Sequence, residues 1–403
     1  MDATTASIRF GLGPRPGELA VIGDDPRAWL IEQLRGDQGP RMPARSEVVA
    51  TLVKAHRRHD KEAFKVESVE RYKEDTEAAA LWAARTDRPF FERLVRFFSN
   101  HLAVSITKPE IRGLVGSYEQ HAIRPNLDGS YARLLLAAVR HPAMLIFLDN
   151  QRSTGPNSRA GAKRDKGLNE NLARELLELH TVGVDGGYDQ EDVEGLARML
   201  TGWTVVEDDD GFDFDPAMHE PGHHRMLGVT YRHDAHRQGL EALIDLSVHP
   251  STARHLATKL CRQFVSDDPP ESAIRALEDV WLRTQGNLPA VFTALIDLPE
   301  AWSTPLAKLR TPQELVIATA RALDNTRLLT HSMRTLGQPM WMPPTPEGWP
   351  DRASEWIGPD ALVARVDWVR RVAQRVGDRR VLGRQMDRHD LALWLASPEF
   401  QRR

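Results

Sequence analysis

Residues 169–203 read NENLARELLELHTVGVDGGYDQEDVEGLARMLTGW, and the spacing of apolar side chains here decides the fold. Leucines recur at intervals of three and four, at Leu168, Leu172, Leu176 and Leu179. This stripe predicts an amphipathic helix. Gly183 and the glycine turn at 185–187 end that helix, and Asp189 has the residue type of an N-cap for a second helix. The stretch therefore predicts a helical hairpin.

The polar face of the first predicted helix carries charged and amide side chains, namely Asn171, Arg174, Glu175 and Glu178, with His180 at its end. Carboxylates within one turn of each other, beside an arginine and a histidine, are components of an acid–base or metal site. However, Glu170 and Glu178 lie four residues on either side of Arg174, so the same face can form a structural ion-pair ladder. The spacing leaves both interpretations open.

The same stretch resembles the signature of a large bacterial family, domain-of-unknown-function family 1800 (DUF1800). The resemblance rests on NEN at 169–171, ARE at 173–175, ELHT at 178–181, GV at 183–184, GY at 187–188 and LTGW at 200–203. Further matching pieces are FGLGP at 10–14, HPAML at 141–145, LDN at 148–150, FV at 264–265, PTPEGWP at 344–350 and SPEFQ at 397–401. The resemblance covers nearly the whole chain. It implies one shared architecture and no particular reaction. Many relatives resemble exported proteins, which implies a substrate derived from the cell envelope.

The composition is that of an ordinary globular protein, with 403 residues, 41% hydrophobic and 27% charged. A net charge of −4 is too near balance to indicate a nucleic-acid partner. Cys261, the single cysteine, lies in a helical pattern at 257–264 and is expected to be a small core residue. The sequence has no apolar run of about 18 residues that would predict a membrane span. Residues 1–14 have no apolar signal-peptide core, which predicts a cytoplasmic chain as given.

The remaining pattern predicts a mainly α fold, a large multi-helix assembly with one small β-hairpin near 203–215. Helical patterns cover 26–36, 47–84, 89–101 and 130–148, and they return from 238 to 403. Alternating residues around Asp210 and Gly211 predict the hairpin. We expect a single helical domain, 1–403, consisting of the signature hairpin 168–203, the β-hairpin and histidine-rich loop 203–236, and a C-terminal part 238–403.

Asn100 and His101 close the aromatic-rich helix that begins at Pro89. His101 lies one turn past Phe97, near the apolar side, so its ring needs hydrogen-bond partners. One interpretation is a core histidine bonded to a backbone carbonyl. The other is a proton-transfer role, which the resemblance favours because an Asn-His pair after aromatic residues belongs to the family pattern.

A histidine-rich loop follows the predicted β-hairpin and contains His219, His223, His224, His233 and His236. Neutral imidazole suits divalent transition metals, although the chain has no cysteine pairs of a zinc signature. The expected ligand set is His219 with His180 and Glu175, and exposed surface histidines are the alternative. The family has His-Asp where this chain has His219 and Glu220, which removes support for a direct role of the acid.

Two irregular segments complete the candidates. The polar loop 151–167 is long enough to cover a site. The proline-rich loop 338–351 carries Trp341 and Trp349, which can stack on sugar rings or anchor the loop to the core.

We expect the site where the signature helix meets Asn100 and His101, Asp149 and Asn150, and the loop carrying His219. The candidate catalytic residues are Asn171, Arg174, Glu175, Glu178 and His101. The chain has no glycine-rich phosphate loop, nucleophile elbow or dinucleotide fingerprint. The hypothesis is therefore acid–base or metal-assisted hydrolysis of a small molecule or glycan. A non-catalytic binding or assembly module, held by an ion-pair network, is the alternative, so the sequence leaves open whether the chain is an enzyme.

Overall fold

The structure, a computed structural model, describes residues 1–42, 61–163, 167–206, 211–233, 235–303, 306–327 and 329–403. Helices dominate this part of the chain, and its strands pair only as two-stranded antiparallel hairpins. The predicted mainly α class is confirmed. Of the predicted helix 47–84, residues 47–60 lie outside the described ranges, and the rest is helical to Arg85.

Eleven α-helices are described in the first half of the chain. They are α1 (Ala3–Thr5), α2 (Glu18–Ile22), α3 (Pro26–Gln33), α4 (Lys61–Arg85), α5 (Pro89–His101), α6 (Pro109–Arg112), α7 (Val115–Tyr118), α8 (Tyr131–Arg140), α9 (Pro142–Phe147), α10 (Asn171–Glu175) and α11 (Gln190–Met199). Three of them continue directly into π-helical turns, α1 over Ala6–Phe10, α7 over Glu119–Ile123 and α10 over Leu176–His180.

The second half is also helical, and it carries more hairpins than the sequence predicted. Its helices are α12 (His236–Val248), α13 (Pro250–Phe264), α14 (Glu271–Thr284), α15 (Leu288–Asp297), α16 (Glu300–Ser303), α17 (Pro312–Leu323), α18 (Leu329–Thr335), α19 (Pro359–Val376), α20 (Arg388–Ala396) and α21 (Pro398–Gln401).

The expected β-hairpin is present, where β1 (Trp203–Val205) pairs with β2 (Phe212–Phe214). Two further hairpins pair β3 (His224–Met226) with β4 (Val229–Tyr231) and β5 (Arg379–Val381) with β6 (Arg384–Met386). Their turns are Leu-Gly pairs with positive φ at both residues, at 227–228 and 382–383. Such turns usually use Asn-Gly or Asp-Gly, and for this reason the pattern did not reveal them.

The signature stretch forms the predicted helical hairpin. The Asp189 side chain caps α11 by accepting from the Asp192 backbone N–H. The Asp192 side chain in turn accepts from the Asp189 backbone N–H. Gly183 and Gly187 both have positive φ in the connection. The local sequence therefore sets both the start of α11 and the turn before it.

Aromatic side chains join distant helices in the core. Phe10 stacks on Phe264 at 5.9 Å between ring centroids and meets Phe90 edge-on at 5.7 Å. These three rings bring together the N-terminal π turn, α5 and α13. All three are fully or nearly fully buried, and the buried cluster to which they belong runs from Ala6 to Phe400. Such aromatic packing fixes α5 beside α13.

Buried arginines also cross-link distant segments. Arg124 pairs with Glu92 at 2.7 Å, and Arg321 pairs with Glu18 at 2.7 Å. Glu314, at the start of α17, pairs with Arg93 and, at 3.0 Å, with Arg403 at the end of the chain. Among the described residues, no helix is long and apolar enough to cross a bilayer.

Candidate active site

A cavity of about 650 Å³ opens between α5, the end of the signature helix and α13. The start of α17 and residues 344–355 complete its wall. Its polar lining includes Asn100, His101, Glu178, His255, Lys259 and Arg262. Segments far apart in the chain therefore converge on one concave surface.

One side of the cavity is formed by the loop that carries Trp349, and Asn100 holds that loop. The Asn100 Nδ2 donates to the Trp349 carbonyl at 2.8 Å, and its Oδ1 accepts from the Trp349 N–H at 2.7 Å. Gly348 has φ +93°, and a Cβ there would overlap the carbonyl oxygen of Asn100. The close approach therefore requires glycine.

The far end of the same loop is tied to α13 and to the segment before α17. Lys308 donates to the Asp351 carbonyl at 2.8 Å and pairs with Asp267. Arg262 approaches the Asp351 carboxylate at 3.7 Å. Because the loop is fixed at both ends, the cavity wall that it forms is arranged before any ligand binds.

His101 and His180 form a reciprocal pair at the base of the cavity. The His180 Nδ1 donates to the His101 carbonyl at 2.8 Å. The His101 Nε2 lies 3.2 Å from the His180 carbonyl and 3.0 Å from the Tyr131 hydroxyl, which itself donates to that carbonyl. His101 thus makes the backbone hydrogen bond of a core histidine, and its ring also contributes to the cavity lining.

Burial keeps both imidazoles neutral. Burial, with the nearby charge of Lys259, lowers the pKa of His180 to about 3. The same two causes, burial first, lower the pKa of His101 well below its usual value. Both rings are therefore uncharged at neutral pH, and His101 presents its neutral ring to the cavity.

Helix α13 presents a polar stripe to the cavity, with His255, Lys259 and Arg262 one turn apart from each other. The His255 Nε2 donates to the Leu179 carbonyl at 3.1 Å. Burial, followed by the charge of Lys259, lowers the pKa of His255 to about 4. His255 is therefore a neutral ring tied to the end of the signature helix.

Lys259 differs from the other cations of the cavity because it makes no hydrogen bond or ion pair with any residue that the structure describes. It is partly buried. Burial lowers the pKa of its ammonium group, while the more distant Asp351 and Glu347 act in the opposite direction. A partly desolvated cation without a close partner is costly to keep, so its place in the cavity needs a functional explanation.

Glu178 brings the predicted acidic face to the cavity. It lies in the π-helical turn Leu176–His180 and lines the wall. Burial and the charge of Glu178 raise the pKa of Glu175, one turn earlier. Burial, and then the charge of Glu178, raise the pKa of Tyr188. A π-helical turn often marks a functional position, and here it places a carboxylate beside the ligand space.

Three other predicted catalytic residues, Glu175, Arg174 and Asn171, are not part of the cavity lining. Arg174 pairs with Glu170 at 2.9 Å, which is one of the two ion pairs of the expected ladder, and it donates to Gln190 at 3.0 Å. Asn171 is exposed and lines a separate shallow pocket with Asp149. Asn150, expected beside the site, donates instead to the carbonyls of Leu200 and Trp203.

His219 also lies outside the cavity lining. Its Nδ1 is 3.0 Å from the Thr201 carbonyl, and its ring packs edge-on against Phe214 at 5.3 Å. The described part of the loop 151–167 is bound to the same region, because Glu220 accepts from the Asn157 N–H at 2.9 Å and from its side chain at 2.6 Å. These bonds tie the loop to the histidine-rich segment.

The expected metal ligands do not form a ligand group. In the ranges that the structure describes, no set of three or more His, Cys, Asp or Glu side chains is arranged to hold a metal ion. His180 is bonded to the His101 carbonyl, whereas His219 is bonded at Thr201, and Glu175 is the remaining member of the expected trio. His219 packs against Phe214 of β2, whereas His180 is bonded to His101 of α5.

The sequence reading missed His255, Lys259 and Arg262. These residues are spaced by four and three, so the sequence alone indicates that they share the polar face of an amphipathic helix. The pattern at 257–264 predicted only the apolar side of this helix. That side contains Cys261, which is buried as expected.

The comparisons agree with the resemblance noted in the sequence. A family model described as "Protein of unknown function (DUF1800)" matches residues 5–402. No match was found among curated proteins or among solved structures.

Proposed function

The chain belongs to the DUF1800 family, and from that premise we propose that it is a hydrolase that works by acid–base chemistry in the cavity between α5 and α13. The observation that carries the proposal is Lys259, a cation in the cavity wall without an ion-pair partner among the described side chains. A fixed positive charge is most useful where negative charge develops in a transition state.

The proposed roles divide the chemistry between two charged groups. Glu178 takes a proton from water as the water oxygen attacks the substrate. Lys259 stabilises the negative charge that develops when the bond to the leaving group breaks, and the proton taken by Glu178 passes to that leaving group. His101, His180 and His255 are neutral, so none of these three rings competes with Lys259 for the developing negative charge.

A small molecule or a short glycan segment is the proposed substrate. The cavity volume of about 650 Å³ falls within the usual range of about 300–1,000 Å³ for small-molecule sites. Trp349 lines the cavity, and its backbone is fixed by Asn100. An aromatic face on a rigid loop suits the apolar face of a sugar ring.

The second candidate is a binding module without turnover. Its support is the ionic network in the same wall, where Glu314 pairs with Arg93 and Arg403. In that case the charges of the cavity maintain the fold and hold a ligand. Glu178→Gln and Lys259→Met would then alter ligand affinity and stability without affecting any reaction.

The test is turnover of a panel of chromogenic esters, glycosides, phosphate esters and sulfate esters. Glu178→Gln and Lys259→Met should each slow the reaction by at least about 100-fold, the scale for loss of a proton-transfer or charge-stabilising group. Matched controls are Glu70→Gln and Lys73→Met, both on the exposed face of α4, and both should retain wild-type rates. Equal rates in all four variants, or no protein-dependent turnover on the panel, would favour the binding module.

A further inference from the structure

A second cation in the cavity also lacks a carboxylate partner. Arg96, on α5, lines the same wall as Lys259. Its guanidinium donates to the Gln313 side-chain oxygen, which is neutral. Neither Arg96 nor Lys259 forms an ion pair with a side chain in the described ranges. The wall therefore contains two positive charges that the protein itself does not neutralise at close range.

Unused hydrogen-bond donors accompany these charges. The Arg262 Nε and the Trp349 Nε1 are buried and find no acceptor among the described residues. Both residues line the cavity. Both N–H groups are shielded from solvent in this conformation, so the donors that an acceptor in the cavity can reach are those of Lys259 and Arg96.

The carboxylates of the cavity do not supply that acceptor. Glu314 is engaged by Arg93 and Arg403, and Asp351 is approached by Arg262. Glu347 and Glu355 are exposed. Glu178 also lines the cavity and forms no ion pair with either cation, so Lys259 and Arg96 have no carboxylate partner among the described residues.

We propose that the ligand of this cavity carries an oxyanion, a phosphate, sulfate or carboxylate group, that binds against Lys259 and Arg96. The inference deepens the proposed function, on whose cavity it rests, by naming the chemical class of the substrate. An oxyanion offers only acceptors, and the wall offers the ammonium group of Lys259 and the guanidinium group of Arg96 as charged donors. The planar guanidinium can bind two oxygens of such a group at once.

Isothermal titration calorimetry with inorganic phosphate, sulfate and acetate tests the inference on the full chain, with sodium chloride at equal ionic strength as the reference. We expect at least one oxyanion to bind where chloride does not. Preference for phosphate or sulfate would identify a tetrahedral group, and preference for acetate a carboxylate.

Two variants and their matched controls assign the binding to the cavity. Lys259→Met and Arg96→Met should each weaken it by at least about tenfold, the scale for losing a charged hydrogen-bond donor. Lys259→Arg keeps the charge and should retain binding. Lys73→Met and Arg283→Met remove exposed charges and should leave the affinity unchanged. Circular dichroism of each variant confirms that it is folded.

The inference is overturned if no oxyanion binds more tightly than chloride, or if the folded Lys259→Met and Arg96→Met variants bind like the wild type. These outcomes are separate from those of the turnover test. Oxyanion binding without turnover would retain this inference and remove the hydrolase proposal. Turnover of an uncharged ester without oxyanion binding would retain the hydrolase proposal and remove this inference.

Discussion

The reciprocal bonds of His101 and His180 tie two chain segments together through neutral rings. Each imidazole serves the backbone of the other residue, with a 2.8 Å bond from His180 to the His101 carbonyl. Both side chains are almost completely buried. A charged imidazole here would lose hydration without gaining a carboxylate, so burial dominates the lowered pKa values.

This burial predicts a pH-dependent contribution to stability. The pKa of His180 is about 3 in the folded protein, against an ordinary value of 6.5. Between these values the unfolded chain binds more protons, so the contribution is complete above about pH 6.5 and is lost as the pH falls. The difference in unfolding free energy between wild type and His180→Gln should fall by about 1.4 kcal/mol per pH unit from about pH 6 to about pH 4.

Urea unfolding at several pH values measures this difference. His389→Gln, which changes an exposed side chain, is the control and should give a curve parallel to that of the wild type. If the His180→Gln curve is also parallel to the wild-type curve, the buried neutral imidazole is not the titrating group.

Among the elements, the loop 344–355 makes one close backbone approach, at Gly348. Gly348 combines φ +93° with contact to the Asn100 backbone, whereas Gly337 has φ +86° and no atom within 4 Å of a built Cβ. Both positions carry the backbone penalty of an L-residue in the left-handed region, but only the first also carries overlap.

Gly348→Ala should therefore lower the unfolding free energy by about 1–3 kcal/mol more than Gly337→Ala does. It should also weaken oxyanion binding, because displacement of the loop moves Trp349. Urea denaturation and calorimetry measure the two effects. Equal losses in the two variants would mean that the Gly348 contact does not hold the loop.

The elements also show where the sequence was sufficient. The capping of α11 by Asp189 is observed as predicted, and the break between α8 and α9 at His141 also follows from local residue types. The π-helical turn over Leu176–His180 was not predictable in this way. The Thr181 hydroxyl donates to the Leu176 carbonyl at 2.6 Å at the end of this turn. The His180 carbonyl is bonded to His101 on α5 and to Tyr131 on α8. These partners are tertiary, so helical periodicity does not reveal the turn.

At the scale of the whole molecule, Glu314 connects the α17 start, α5 and the C-terminus. Burial alone would raise its pKa, but Arg403 and Arg93 outweigh burial and hold the pKa below its usual range. Both arginines are almost completely buried, with side-chain exposures of 1% and 2%. Glu314 is therefore the carboxylate that compensates the buried charges of both arginines.

Glu314→Gln should cost about 3–5 kcal/mol of unfolding free energy, because it leaves buried cations uncompensated. Glu194→Gln, at a pair with Arg198 whose side chains are 36% and 37% exposed, should cost less than about 1 kcal/mol. Thermal and urea unfolding of the two variants compare them directly. Similar small losses would show that the Glu314 network contributes little to holding the chain ends together.

The site was partly predictable at this scale. Asn100, His101 and Glu178 were expected to converge, and they line one cavity. Asp149 and His219 were expected to join them and do not, because a polar residue distant in sequence can pack against any of several elements. His255 and Lys259 supply the missing wall. Which face of α13 meets α5 depends on the packing of Phe10, Phe90 and Phe264, which no local pattern specifies.

The most direct test of the account is competitive acylation of the folded protein with trace acetic anhydride, comparing Lys259 with Lys73 by mass spectrometry from about pH 6 to about pH 11. Because its pKa is lowered, Lys259 should reach half-maximal labelling at a lower pH than the exposed Lys73. Inorganic phosphate should slow labelling of Lys259 alone. If Lys259 resists labelling while Lys73 reacts, or if the two lysines label alike and phosphate protects neither, Lys259 is not the open cation on which the proposed site depends.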